Sequence, residues 1–110
     1  MLIGIDFDGT ISADVPTFRQ VIQQFLNGGH QIAVVSARNE SQASRDEIRS
    51  AILQDQIPII LTSHNPKQAW CEFHGIHIDI WIENNPRSIY EIDDVRKWKP
   101  ATTPQDRCGR

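Results

Sequence analysis

Two acids, Asp6 and Asp8, stand two residues apart, directly after the short apolar run Leu2-Ile3-Gly4-Ile5 and before Gly9-Thr10. An aliphatic run of this kind reads as a buried strand of a parallel sheet. In open α/β sheets, ligands bind just beyond the carboxyl ends of the strands. Two carboxylates at such an edge repel each other unless a cation lies between them or one of them takes a proton. The chemistry that fits is metal-assisted, with one carboxylate as nucleophile and the other as general acid/base. Gly9 lets the backbone turn sharply and approach a ligand closely. The competing reading is an acidic turn in which both carboxylates are solvated caps.

Three later stretches carry chemistry of a matching kind. A second apolar run, centred on Ile32-Ala33-Val34-Val35, ends in Ser36-Ala37-Arg38. A hydroxyl and free backbone amides at a strand end can bind phosphate oxygens. Arg38 is either a further substrate contact or a surface arginine near a helix start. In Asn65-Pro66-Lys67, Asn65 is a good N-cap and Pro66 a good first helical residue, which puts Lys67 in the first turn. A cation there opposes the helix macrodipole. Such a conflict between local preference and placement often marks a functional site, and a phosphate held between Lys67 and the acids would resolve it. His64 reads first as a loop histidine without a role, and second as a substrate contact. A fourth apolar run ends in Glu83-Asn84-Asn85-Pro86.

The elements that must position these residues alternate. Pro16 opens a helix, with Asp14 near its N-terminus, Phe18, Val21, Ile22 and Phe25 at helical spacing, and Asn27-Gly28-Gly29 as its stop. Ile11 to Val15 reads as a polar link. A helix over 39–56 is capped by Asn39 or Ser41, buries Ile48, Ala51 and Ile52, and turns Arg45, Asp46, Glu47 and Arg49 to solvent. Residues 57–61 form a third strand, and Pro58 points to a sheet edge. A helix runs from Lys67 through Trp70 and Phe73 to Gly75. Residues 76–82 form a fourth strand, with Ile78, Ile80 and Ile82 alternating against His77, Asp79 and Trp81. Asn85-Pro86 caps a last helix that carries Ile89, Tyr90, Ile92 and Val95, with Trp98 packing it down. The alternation implies an α/β fold: a parallel sheet with right-handed crossovers, helices on both faces, and one domain over residues 1–98. Residues 99–110 read as a mobile tail.

Bulk properties narrow the function classes. The chain has 110 residues, a net charge of −3 and a pI near 5.7. It has no overall basic field for nucleic acid, although a local patch around Arg38 and Lys67 could offset this. No apolar run is long enough to span a membrane, and no signal peptide precedes the first strand. Cys71 and Cys108 lack metal-type spacing and read as free thiols, which fits a cytoplasmic location.

Taken in order, these stretches resemble the four motifs of the haloacid dehalogenase superfamily over residues 2–86. Asp6-Phe7-Asp8-Gly9-Thr10 resembles the first motif, Asp-x-Asp-Gly-Thr after a hydrophobic strand. Ser36 resembles the second, Lys67 the third and Glu83-Asn84 the fourth. The fourth motif usually supplies an Asp-Asp pair, so Glu83-Asn84 is a departure. Asn brings an oxygen ligand but no charge, which puts metal affinity in question more than reaction type. The resemblance implies a three-layer Rossmann-like sheet with the first strand central, the second and third on one side and the fourth on the other.

The resemblance also implies an activity: Mg²⁺-dependent hydrolysis of a phosphoric monoester. Asp6 would form an aspartyl-phosphate, and Asp8 would protonate the leaving alcohol and then activate water. Gly9, Thr10, Ser36, Ala37, Arg38 and Lys67 would bind the phosphoryl group or the substrate. Mg²⁺ would be held by Asp6, the Asp8 backbone carbonyl, and Glu83 or Asn84. An acid two residues after the nucleophile points to a phosphatase among the family's activities. Only 25 residues separate Thr10 from Ser36, and 30 separate Ser36 from Lys67, so the chain resembles a capless member. Its open site would take a macromolecule with a phosphorylated end or side chain, or a small phosphate ester selected by a second subunit covering the site. The runner-up function is a phosphate-binding or regulatory module with weak or no turnover. A phosphoacceptor receiver domain ranks lower, because Ser36 and Thr62, not Asp, follow the second and third strands.

Overall fold

The structure, a computed structural model, describes residues 1–91. Four strands form one all-parallel sheet: β1 (Leu2–Ile5), β2 (Gln31–Ser36), β3 (Ile59–Leu61) and β4 (Ile80–Ile82). Their spatial order is β3-β2-β1-β4. The strand carrying Asp6 is therefore internal, the second and third strands lie on one side of it and the fourth on the other, as expected. Pro58 precedes an edge strand, also as expected. In register, Gly4 of β1 pairs with Ala33 of β2 and with Trp81 of β4.

Both faces of the sheet are covered. Ile3, Ile5, Ile32 and Val34 project to one face and pack with Ile22 of α1 (Val15–Asn27) and with Ile48 and Ile52 of α2 (Gln42–Ile52). Ala33 and Val35 project to the other face, where Cys71 of α3 (Lys67–Phe73) and Ile78 cover them. The side chains alternate because the strand period is two. Each fully buried aliphatic side chain contributes roughly 1.5–3 kcal/mol, so the α1/α2 face holds the larger share of the core. A short α4 (Arg87–Tyr90) packs beside α3.

Local chemistry sets the boundaries. Asp14 caps α1, its Oδ1 accepting from Thr17 N at 3.2 Å and its Oδ2 from the Thr17 hydroxyl at 2.8 Å. Ser41, not Asn39, caps α2 through Ser44 N at 3.1 Å. That helix stops at Leu53, which takes a left-handed φ of 57°.

Three expectations need correction. Ile11–Ala13 is a 3₁₀ turn that buries Ile11, not a polar link. Asn65 does not cap α3; its Nδ2 turns back to Thr62 O at 2.9 Å. Strand β4 is shorter than its alternating run, and Ile80 is exposed because β4 is the second edge of the sheet. The helix expected to continue through Ile92 and Val95 is described only as α4, and the rest of that expectation, with Trp98, Cys108 and the tail, lies outside the described residues. Among the described residues, no helix is long and apolar enough to cross a membrane.

Candidate active site

Because every strand runs the same way, all four carboxyl ends open on one edge of the sheet. Asp6 and Asp8 follow β1, Ser36 to Arg38 follow β2, Lys67 follows β3 through a five-residue loop, and Glu83-Asn84 follow β4. Asp6, Asp8, Ala37, Arg38, Lys67, Glu83 and Asn84 line one open pocket of about 250 Å³ there, with His64, Asn85 and Ser88 at its wall. A larger hollow, about 420 Å³, lies at the opposite edge among Leu26, His30, Ile57 and Ile76 and has no carboxylate in its lining.

Lys67 is the most deeply set of these residues, at 1% exposure. Its Nζ donates to Asp6 Oδ1 at 2.7 Å and to Glu83 Oε1 at 2.6 Å. Leaving water costs an ammonium several kcal/mol, and two ionic partners offset that cost. Burial pushes the Asp6 carboxyl up to about 6; Lys67 pulls it down and Glu83 adds to the rise. The Ser88 hydroxyl also donates to Glu83 Oε1. Glu83 Oε2 is buried and has no protein partner among the described residues.

The backbone that carries Lys67 is held in an unusual form. Ser63 and His64 both adopt left-handed φ, 51° and 67°. Their amides donate to Arg38 O at 3.0 Å and Ala37 O at 2.8 Å. These bonds fasten the loop after β3 to the loop after β2. Strained residues of this type cost of order 1–3 kcal/mol each and persist only where surroundings fix them.

Asn84 faces the other oxygen of Asp6. With its carboxamide nitrogen turned inward, Nδ2 donates to Asp6 Oδ2 at 2.7 Å, to Asp8 O at 3.1 Å and to Thr10 Oγ1 at 3.1 Å. The Thr10 hydroxyl donates to Asp6 Oδ2 at 3.3 Å and accepts from Asn84 N at 3.3 Å. Amide orientation is assigned from such networks, and this one turns the donor toward Asp6 Oδ2 and Asp8 O, which are both acceptors. Gly9, at φ +81°, sits against the same carboxamide: a Cβ there would stand 2.4 Å from the carboxamide atom turned away from Asp6. The residue is glycine both for its backbone and for that close approach.

Asp8 is turned out of this cluster. Arg38 Nε and Nη2 hold its two oxygens at 2.8 and 2.7 Å. Arg38 also pairs with Glu47 at 3.0 and 3.1 Å and with Ser44 Oγ at 3.4 Å, and its guanidinium lies over the Phe7 ring. All five of its N–H donors are thereby used. Arg38 thus holds a carboxylate here, where a substrate contact was expected, and Glu47 pairs with it although it reads as part of a solvated face.

Of the other expected phosphate contacts, Ala37 lines the pocket, whereas Gly9, Thr10 and Ser36 are not among its lining residues. The Gly9 amide donates to Ser12 Oγ at 2.9 Å. The Ser36 hydroxyl is buried and accepts from Arg38 N at 3.1 Å. Ser12, Glu47 and Ser88 also bond to residues of this edge; the sequence marked Glu47 only as part of a solvated face and left Ser12 and Ser88 without a role. The one signal for them is spacing: Ser44 and Glu47 lie on one face of a helix that starts just after Arg38, and Ser88 follows Asn85-Pro86 at a helix start.

Among the described residues, no three His, Cys, Asp or Glu side chains gather as a metal-holding group. The groups that converge are of a different kind: one carboxylate, one backbone carbonyl and one carboxamide. Comparison with protein-family models, with curated proteins and with solved structures finds no match to this chain.

Proposed function

We propose that the chain is a capless phosphoric monoester hydrolase of the haloacid dehalogenase type, acting through a phosphorylated Asp6. One observation carries this reading: a buried Lys67 ammonium fixed on a carboxylate that directly follows an internal strand, at an open edge where the other motif residues gather. A structural ion pair has no need of a pocket beside it, and this one has 250 Å³.

The residues divide the work as follows. An Asp6 oxygen attacks phosphorus, forming an acyl-phosphate as the bond to the ester oxygen breaks. Asp8, once free of Arg38 and protonated from solvent, gives that proton to the ester oxygen, and the alcohol leaves. Asp8 then takes a proton from water as the water attacks phosphorus, and the bond to Asp6 breaks to release inorganic phosphate. Lys67 stabilises charge on Asp6 and on the phosphoryl oxygens throughout. Glu83 and Ser88 hold Lys67 in place.

The donor set fits a Mg²⁺ ion. Asp6 Oδ2, the Asp8 carbonyl and the Asn84 carboxamide oxygen would hold it, since the inward Asn84 atom lies 2.7 and 3.1 Å from the other two oxygens. Adjacent ligands around an octahedral Mg²⁺ stand about 3 Å apart, and Mg²⁺ takes hard oxygens of this type. When bound, the ion would neutralise charge on the transferring phosphoryl group. Glu83, taken up by Lys67 and Ser88, is the less suitable of the two candidates in the fourth motif; its free Oε2 suits a water. With one carboxylate in the set, affinity for the ion alone would be low, and the substrate's phosphate would complete the site.

The test is hydrolysis of an aryl phosphate with and without Mg²⁺, wild type beside Asp6→Asn. Metal-dependent turnover that Asp6→Asn abolishes is the expected result. A folded wild type with no turnover on aryl or alkyl phosphates would favour the second reading, a phosphate-binding module. That reading draws on the Arg38 hold on Asp8 and on the neutral Asn84.

A further inference from the structure

We infer that the Asn84 carboxamide stands in for the cation when none is bound, and that it must rotate for a cation to enter. The inference rests on the reading of this edge as a metal-assisted site. Asp6 Oδ2 and the Asp8 carbonyl are both acceptors, they lie at one place, and the protein must satisfy them when no ion is present. The Asn84 Nδ2 does so for both, at 2.7 and 3.1 Å, with the Thr10 hydroxyl beside it. A carboxamide has a donor face and an acceptor face of nearly the same shape. A half-turn about its last torsion replaces the amino group with an oxygen and turns a hydrogen-bonded lock into a ligand set.

An aspartate at this position could not play both parts. Its oxygen would face Asp6 Oδ2 at hydrogen-bond distance, and the repulsion would be relieved only by a cation or by a proton taken up by one of the pair. The neutral residue therefore makes the metal-free protein self-sufficient and weakens the hold on the ion. Gly9 is part of the device: a Cβ there would stand 2.4 Å from the amide, so the rotation has room only beside glycine.

The experiment is thermal unfolding of wild type and Asn84→Asp, each in a chelator and in excess Mg²⁺. In the chelator the variant is expected to melt lower, by roughly 5 °C or more, and Mg²⁺ is expected to restore it while moving wild type far less. A variant as stable as wild type without metal, or an equal Mg²⁺ shift in both, overturns the inference. The second measurement uses wild type alone and does not depend on the variant folding. The Asn84 side-chain amide protons, followed by NMR, should exchange about tenfold or more slower than those of exposed Asn27 without metal, and should lose that protection in excess Mg²⁺. Unprotected protons, or protection that Mg²⁺ leaves unchanged, overturn it equally. None of these readouts uses catalysis. An absence of phosphatase activity alongside the expected melting and exchange behaviour would refute the proposed reaction and leave the stand-in role intact.

Discussion

Arg38 takes both oxygens of Asp8, Nε at 2.8 Å and Nη2 at 2.7 Å, and Glu47 holds Arg38 from the other side. A carboxylate in that grip only accepts hydrogen bonds, so in the proposed reaction Asp8 must leave it and take up a proton before it can give one to a leaving group. Asp8→Asn should lower kcat on an alkyl phosphate by about 10²–10⁴-fold, the usual worth of a general acid/base. Arg38→Ala should keep kcat within about threefold, since the pair is exposed and contributes at most ~1 kcal/mol. Steady-state kinetics on one alkyl and one aryl ester check this. A loss in Arg38→Ala as large as in Asp8→Asn would mean that Arg38 itself works on the phosphate.

The ammonium between Asp6 and Glu83 is the electrostatic centre of the molecule. Lys67→Met leaves two carboxylates buried without their cation, a change that costs roughly 3–5 kcal/mol. Urea unfolding should show a loss of that order. Adding Glu83→Gln to Lys67→Met should recover part of it by removing one of the stranded charges. A double variant no more stable than the single would show that Glu83 is not held by the ion pair.

Gly9 combines a left-handed φ of +81° with an Asn84 carboxamide that would stand 2.4 Å from a Cβ placed there. Gly9→Ala meets both obstacles at once. The backbone alone costs about 1–2 kcal/mol, and displacing Asn84 opens the network around Asp6. Turnover should fall by at least about tenfold, and the unfolding midpoint should drop. An active Gly9→Ala would show that Asn84 need not approach the loop.

Cys71 is buried against Ala33 and Val35, and burial pushes its thiol up to about 11 from an ordinary value of 9.0. A raised value in the folded state means that the folded chain keeps its proton while the unfolded chain releases it. This contribution is fully present below pH 9 and is lost as pH rises toward 11. Wild type should therefore lose stability faster than Cys71→Ala across that window, by an amount on the order of 2–3 kcal/mol. Denaturant midpoints measured at both ends of the window decide it; parallel curves would place the thiolate outside the core.

How much of this could be read from the chain follows from how each contact is made. Asp6, Asp8, Lys67 and Glu83-Asn84 could be gathered in advance because each follows an apolar run, and parallel strands bring their ends to one edge. The edge position of β3 was legible in Pro58. The partners within the site were not. Thr10 meets Asn84 across 74 positions of sequence, and Lys67 meets Asp6 across 61. No local periodicity reports which rotamer such a side chain takes. Glu47 carries the spacing of a solvated helix face and pairs with Arg38 all the same. The alternation of Ile78, Ile80 and Ile82 marked a strand but not that it would form an edge, where one of the three stays exposed.

Strand β3 has three residues and lies at the border of the sheet, yet the loop that follows it carries Lys67. Border strands open more readily than central ones, without the rest of the chain unfolding. Each such opening would release the Ser63 and His64 amides from the neighbouring loop and draw the ammonium away from Asp6. The lifetime of the assembled site is then set by the least protected strand of the sheet. In hydrogen exchange, the amides of Thr62, Ser63 and His64 should report the same opening free energy, well below that of Ile3 and Ile5. The working edge would thus come apart and re-form many times within a single global folding lifetime.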